Sequence, residues 1–333
     1  MNSQKIITYD YLKDFKRIHI KINDLLFQEI KNQINTKYES FKKFSDIINT
    51  PHQTLKWEFN KNTYHPFYRL IKIINLLDIS KQEGYDCIIG FYHWGSHNSK
   101  LIMLKELLEI DENFVEGYSL YLAEGDTGFN GKNKSRKLRF TNSDLDVINF
   151  FISWINKYFP NNKFYVNVIN PLNHNNQKDN LHLINCSDIK FSKGYYNKIQ
   201  KYRVCIDSAI IIDLILSIED KVKEICIKDK KLASAYIRGM MVGEGTVYFG
   251  KSRYVRIEMK NEKEIKYLHK LFTLLGFKCK PSLRTTRPNM WSLYIGAKQL
   301  SKYHKLIGFG AQNKRQRILE KAVNKRLKIN QYG

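Results

Sequence analysis

Acidic residues are in deficit along this 333-residue chain, where 32 Asp and Glu stand against 56 Lys and Arg and leave a net charge of +24. With a pI near 9.6, that balance suits a polyanionic partner, and nucleic acid leads the class. Lys-, Asn- and Ile-rich usage also accompanies AT-rich genomes, so charge alone does not identify the partner. Cysteine is sparse: Cys87, Cys186, Cys205, Cys226 and Cys279 include no close pair, which fits neither a disulfide framework nor a zinc cluster. Long apolar runs are missing too, since the strongest, Ala209 to Ile218, is too short for a bilayer and is interrupted by Asp213. The start, Met1-Asn2-Ser3-Gln4-Lys5, has no charged, apolar and cleavable segments of a secretory signal. The expectation is an intracellular protein, cytoplasmic or organellar, neither secreted nor membrane-spanning, with reduced cysteines and room for two or three domains.

What is present is a repeat. The stretch Gly117-Tyr118-Ser119-Leu120-Tyr121-Leu122-Ala123-Glu124-Gly125 returns in altered form as Ile237-Arg238-Gly239-Met240-Met241-Val242-Gly243-Glu244-Gly245. Each copy reads as an apolar helix with small residues four apart, Ser119 and Ala123 in one, Gly239 and Gly243 in the other. Such helices can pack backbone to backbone. A trailing glycine able to take the left-handed conformation is expected to end each one. Glu124 and Glu244 would then emerge side by side at the negative ends of two helix dipoles, an arrangement that calls for a proton or a cation. Oxygen-only ligands favour magnesium, with manganese as a substitute.

Similar elements follow each copy. In the first half, Arg136 to Phe140 reads as a strand, Asp144 to Phe159 as a helix, Lys163 to Ile169 and Tyr202 to Ile206 as strands, and Ser208 to Val222 as a helix. The charged link Lys228 to Lys231 separates the halves. In the second, Tyr254 to Lys260 alternates cleanly, Glu262 to Phe277 is an amphipathic helix, and Cys279 to Arg287 with Met290 to Ile295 reads as a hairpin around Pro288-Asn289.

Ahead of the repeats, three short helices are expected between Glu39 and Ile79. The second, after Thr50-Pro51, carries His52, Gln53, Thr54 and Lys56 outward with Leu55 and Phe59 inward, similar to the recognition helix of a helix-turn-helix unit. Residues 1–80 are therefore assigned to a small all-α domain, 81–100 to a connector, 101–227 to the first repeat and 232–333 to the second. His93 and His97 have helical metal-ligand spacing, but Gly95 and Ser96 lie between them and no third ligand is near, so no zinc site is expected there.

The paired motifs, each ending Glu-Gly and each followed by strand, strand, helix, strand and strand signals, make residues 101 to 333 resemble the LAGLIDADG homing endonucleases in their single-chain, two-repeat form. The resemblance implies an α+β fold of two pseudo-symmetric αββαββα repeats, whose motif helices form the central interface and whose sheets form a DNA-binding saddle. It also implies that Glu124 and Glu244 bind divalent metal, with the carbonyls of Ala123 and Gly243 nearby. Tyr118 and Arg238 depart from the small residue usual at their position and are expected to tilt the helix pair slightly. The segment Gly308 to Arg317 looks like the one that brings a basic residue to the family's active site. Lys314 is the candidate, placed to stabilise charge developing at phosphorus. For the first repeat Lys190, Lys193 and Lys201 all stay open.

Strand alternation marks candidate DNA contacts: Arg136, Lys137 and Arg139 in one half, Arg256, Glu258 and Lys260 in the other, joined by Lys280, Arg284 and Arg287. Gln53, Thr54 and Lys56 are added from the N-terminal unit. The leading expectation is a magnesium-dependent, site-specific double-strand DNA endonuclease acting as a monomer, freestanding or intron-encoded. Neither the Met1 start nor the Asn330-Gln331-Tyr332-Gly333 ending matches the residues that intein splicing requires. A DNA-binding regulator on the same scaffold and a maturase that binds intron RNA are the alternatives.

Overall fold

The computed structural model describes residues 7–9, 18–60, 64–93, 102–105, 107–126, 137–172, 184–194, 198–285 and 287–329. In the N-terminal unit, β1 (Ile7–Tyr9), β2 (Ile18–Ile22), α1 (Asp24–Tyr38), α2 (Phe41–Ile47), α3 (His52–Asn60), β3 (His65–Pro66), α4 (Phe67–Leu76), α5 (Lys81–Asp86) and β4 (Ile88–His93) follow in order. The helices α2, α3 and α4 occupy the expected places, and Leu55 and Phe59 are buried. The unit is not all-α, however. β2 is the centre of an antiparallel sheet ordered β3-β2-β4, and residues 81–93, expected to be a connector, supply its last helix and an edge strand. Ile18, Ile20 and Ile22 are all fully buried on a strand only five residues long, too short for its alternation to stand out beside the helical pattern.

The first repeat runs β5 (Leu108–Ile110), α6 (Glu112–Glu124), β6 (Gly125–Asp126), β7 (Leu138–Asn142), α7 (Leu145–Tyr158), β8 (Tyr165–Pro171), β9 (Ile189–Gly194), β10 (Lys201–Ile206), α8 (Ala209–Ser217) and α9 (Glu219–Lys228). The second runs α10 (Lys230–Glu244), β11 (Gly245–Phe249), β12 (Arg253–Met259), α11 (Glu262–Leu274), β13 (Ser282–Leu283), β14 (Trp291–Gly296), α12 (Leu300–Leu306) and α13 (Asn313–Ile329), with a 3₁₀ turn at Ala297–Gln299. Their sheets are ordered β6-β7-β10-β8-β9 and β11-β12-β14-β13. Matching the motif helices matches the sheets strand for strand, which makes the fold α+β with two αββαββα repeats. β9 is the addition, and it pairs parallel to β8 where every other named pairing is antiparallel.

Side chains fix where the helices begin. Asp111 Oδ1 accepts from Phe114 N at 2.7 Å to cap α6, and Asp229 Oδ1 accepts from Lys231 N at 2.7 Å to cap α10, in each case satisfying an amide the helix cannot. The expected helix from Ser208 to Val222 is broken at Ile218 into α8 and α9. Trp154 of α7 is fully buried. Its Nε1 donates to Phe114 O at 3.0 Å, and it lies where a Cβ on Gly117 would come within 2.1 Å of the ring. The motif helix α6 is therefore packed on one side against a large aromatic group of its own repeat and carries small residues on the other.

Candidate active site and nucleic-acid interface

The small-residue sides of α6 and α10 meet, in the most extensive contact between any two elements. A Cβ built on Gly239 would lie 2.1 Å from Ser119 Oγ and 2.2 Å from Glu116 O, and one on Gly243 would lie 2.6 Å from Ala123 Cβ and 2.9 Å from Glu124 Cγ. Backbones approach this closely only where side chains are absent. Upstream, Arg238 Nη1 donates to Glu116 Oε2 across the seam at 2.8 Å, while Arg238 Nε donates to Ile307 O at 2.6 Å. Tyr118 is fully buried, with its hydroxyl donating to Ile215 O at 3.0 Å. The two residues that depart from the repeat pattern thus each have a specific partner.

Both helices stop at Glu-Gly, but not by a left-handed cap. Gly125 (φ −74°, ψ 146°) and Gly245 (φ −80°, ψ 155°) are extended. Glycine is needed there for another reason. A Cβ would sit 2.4 Å from Tyr121 O in one copy and 2.4 Å from Met241 O in the other, because the chain passes from helix straight into strand beneath the preceding turn.

Burial of Glu124 and the charge of Glu244 push the Glu124 pKa up to about 7, against the pull of Arg315 and Lys201. Glu244, the more exposed of the pair, is also raised by desolvation and drawn back by Arg315. Two carboxylates thus share one electrostatic field at the end of the seam. Of the three lysines left open for the first repeat, Lys201 is the one whose charge reaches Glu124, whereas Lys190 lies over the Tyr165 ring at 3.6 Å and Lys193 is exposed on β9.

In the second repeat the cation at the carboxylates is Arg315, not Lys314. Arg315 Nη1 donates to Val242 O at 2.7 Å and reaches Met241 O and Gly243 O at 3.2 and 3.4 Å. It thereby covers the Val242 and Gly243 carbonyls at the end of α10 and shares that of Met241 with the Gly245 amide. Lys314 is exposed and opens into an adjoining cleft of about 430 Å³, lined also by Ser143, Asp144, Thr246, Gln312 and Arg315. Helical spacing separates the neighbours: Arg315 shares a face with buried Leu319 and Ala322, four and seven residues on, and Lys314 does not.

Among the described residues no group of three or more His, Cys, Asp or Glu side chains is arranged to hold a metal ion. The two carboxylates at the ends of adjoining helices are oxygen donors of the kind that suits a hard divalent cation completed by carbonyls, water and phosphate.

On the first sheet, register sets Arg139 beside Cys205, and Arg203 between Thr141 and Asn167, along one face. Arg203 Nε donates to Thr141 Oγ1 at 3.0 Å. Arg139 lies 3.9 Å from Asp126, and Lys137 pairs with Asp207 at 2.9 Å. Arg136 is outside the described residues. On the second sheet Arg256, Arg284 and Arg287 converge on Glu258, while Lys260 and Lys280 are exposed beyond the strand ends. A ladder of tyrosines went unnoticed in the sequence: Tyr248 and Tyr254 stack at 5.1 Å, and Tyr254 and Tyr294 meet at 5.0 Å. Gln53, Thr54 and Lys56 are exposed on α3 beside Trp57, which is 59% exposed.

No protein-family model and no curated protein matches the chain. Its fold is similar to those of solved LAGLIDADG proteins. The homing endonuclease I-DmoI in complex with DNA and Mn is 15% identical, over 60% of this chain and 98% of its own, at a TM-score of 0.39. The homing endonuclease I-WcaI bound to its DNA recognition sequence is 12% identical, over 60% and 81%, at 0.36. The N-terminal LAGLIDADG domain of DUF199/WhiA is 14% identical, over 59% and 82%, at 0.36. What the site can do follows from its own atoms.

Proposed function

We propose that this protein is a divalent-metal-dependent endonuclease that hydrolyses both strands of duplex DNA at a specific site. The observation that carries the reading is the meeting of Glu124 and Glu244 at the end of a seam of small residues, with Arg315 and Lys201 acting on the same field. Holding two acids beside each other, with Glu124 half-buried, is unfavourable without a compensating cation, and a scaffold used only for binding gains nothing from it.

Glu124, Glu244 and the carbonyls of Ala123 and Gly243 would hold magnesium, or manganese in its place. Bound there, such an ion supplies charge stabilisation to the attacking and leaving oxygens of a phosphodiester. The chain's own groups do the rest. Arg315 is fixed by three carbonyls beside the carboxylates, so its charge is in place before the phosphate gains negative charge, and it pays no reorganisation in the reaction. Lys201 serves the first-repeat side. Lys314 lines the cleft where a strand would pass and contributes attraction to phosphate rather than chemistry. The polar faces of the two sheets hold the duplex, Arg139 and Arg203 on one and Arg256, Arg284 and Arg287 on the other, and α3 adds contacts through Gln53, Thr54 and Lys56. Because both motif helices belong to one chain, a monomer suffices.

Incubation of the purified protein with a library of random duplexes and magnesium tests the proposal: cuts should accumulate at one long site. Glu124→Gln and Glu244→Gln should each abolish double-strand cutting while largely keeping DNA affinity. Binding without cutting by the wild type would instead show a regulator, and preference for intron RNA over duplex DNA a maturase.

A further inference from the structure

The second sheet carries a carboxylate where a DNA-facing surface has least use for one. Arg256 and Glu258 lie two residues apart on β12 and so face the same way, with Glu258 in register with Ser292 of β14. Ser292 Oγ in turn meets Ser282 Oγ of β13 at 3.0 Å, which places Glu258 against the β13–β14 hairpin. Arg284 and Arg287 lie in the loop of that hairpin, which Arg284 N closes by donating to Met290 O at 2.8 Å.

Three guanidiniums from different positions in the chain therefore surround one acid. Arg256 Nε and Arg284 Nε each lie 3.0 Å from Glu258 Oε1, and Arg287 Nη1 lies 3.3 Å from Oε2. The Glu258 side chain is 13% exposed, against 23% for Arg256, 32% for Arg284 and 64% for Arg287. The acid is sheltered and the cations sit around it. Both Nε contacts lack hydrogen-bond alignment, so charge rather than bond direction holds them. The two terminal nitrogens of an arginine form the edge that matches O6 and N7 of guanine. Arg256 is further held over the Tyr254 ring at 5.5 Å.

A negative charge here weakens attraction to phosphate. What it supplies in return is order, because an exposed arginine otherwise loses its rotamer freedom on binding. We propose that Glu258 is a specificity-determining positioning residue, which presets Arg256, Arg284 and Arg287 as one fork reading guanine edges over a short run of base pairs beneath the second sheet. The inference rests on the duplex-DNA reading above and extends it to a residue that touches no base.

The test selects binding sites for the full-length wild type, Glu258→Gln and Glu258→Asp from one randomised duplex pool, and measures affinity for unrelated duplex as a function of salt. In Glu258→Gln, preference at about two or three adjacent base pairs should fall by about tenfold or more, with the remaining positions unchanged. Affinity for unrelated duplex should stay level or rise as the repelling charge is removed. Glu258→Asp, which keeps the charge on a shorter arm, should alter the same base pairs and no others. It decides the matter alone if Glu258→Gln does not fold by thermal melting. An even loss of preference across the site, or an unaltered profile, overturns the role of Glu258. If the wild type itself enriches no sequence, the duplex-DNA reading fails, and this inference with it.

Discussion

Replacing Gly239 with alanine sets two known effects against each other at one atom. Taken alone, Gly→Ala inside a helix is worth about 1 kcal/mol of added stability. In α10, however, the new Cβ would arrive 2.1 Å from Ser119 Oγ, 2.2 Å from Glu116 O and 2.8 Å from Leu120 N, where ordinary contact begins at 3.4 Å. Two of the three obstacles are backbone atoms of α6 and cannot rotate away. Relief therefore requires the motif helices to part by roughly 1 Å, at an overpacking cost of about 1–3 kcal/mol or more. We expect a net loss of about 2 kcal/mol, seen as a melting temperature lowered by about 4–8 °C. Because the same displacement moves Glu124 relative to Glu244, any cleavage activity should fall by about 10²-fold, the cost typical of an ångström's misplacement. Gly84→Ala is the control. Its Cβ would meet the tip of the Ile74 side chain, Cδ1 at 2.3 Å, which can turn aside, so the loss should be smaller. Differential scanning calorimetry on the three proteins decides, and a Gly239→Ala protein that melts above the wild type would refute the close seam.

Further expectations concern charge. Glu124 keeps its proton to about pH 7 in the native protein, against an ordinary value of 4.5. The native state then binds more protons than the unfolded one between those limits, and stability falls as pH rises through them. Without divalent cations, denaturant unfolding should show this slope in the wild type and a shallower one in Glu124→Gln. Arg315→Gln should remove the counter-charge from both carboxylates and uncover the end of α10, so cutting should be lost with duplex affinity mostly kept, and Arg315→Lys should not restore it because a point charge cannot span three carbonyls. Asp111 caps α6 and accepts from Lys157 at 2.7 Å, and its pKa is held below 3.8 by Lys157, Tyr158 and the Phe114 amide despite partial burial. Asp111→Ala should cost about 1–2 kcal/mol at neutral pH. The wild type loses this contribution as the acid protonates, so the two stabilities should converge as pH falls below 3.8.

The repeats were legible because their signals are local. Alternation in Arg253–Met259 and helical spacing in Leu145–Tyr158 each lie within one element, and the Glu-Gly endings can be matched by eye. Long-range features were not. β2 at Ile18–Ile22 makes sense only once β4, some seventy residues on, is beside it, and the parallel strand β9 had no partner to suggest it. Composition does not mark which of Lys314 and Arg315 turns inward, although the buried face through Leu319 and Ala322 distinguishes the two. The glycine after each motif was rightly singled out as special but for the wrong reason, since its need comes from a carbonyl one turn back and not from a positive φ.

The salt bridge between Glu116 and Arg238 bears on the ancestry of the molecule. The motifs align with Glu116 opposite Tyr236 and Arg238 opposite Tyr118 in the repeat register, so acid and base have been divided between halves that otherwise correspond. A symmetric dimer built from either half alone would lack one member of the pair and leave the other buried without its counter-ion. The duplicated modules have diverged past interchangeability, and a chimera that grafts a foreign half onto this one must bring the complementary charge with it.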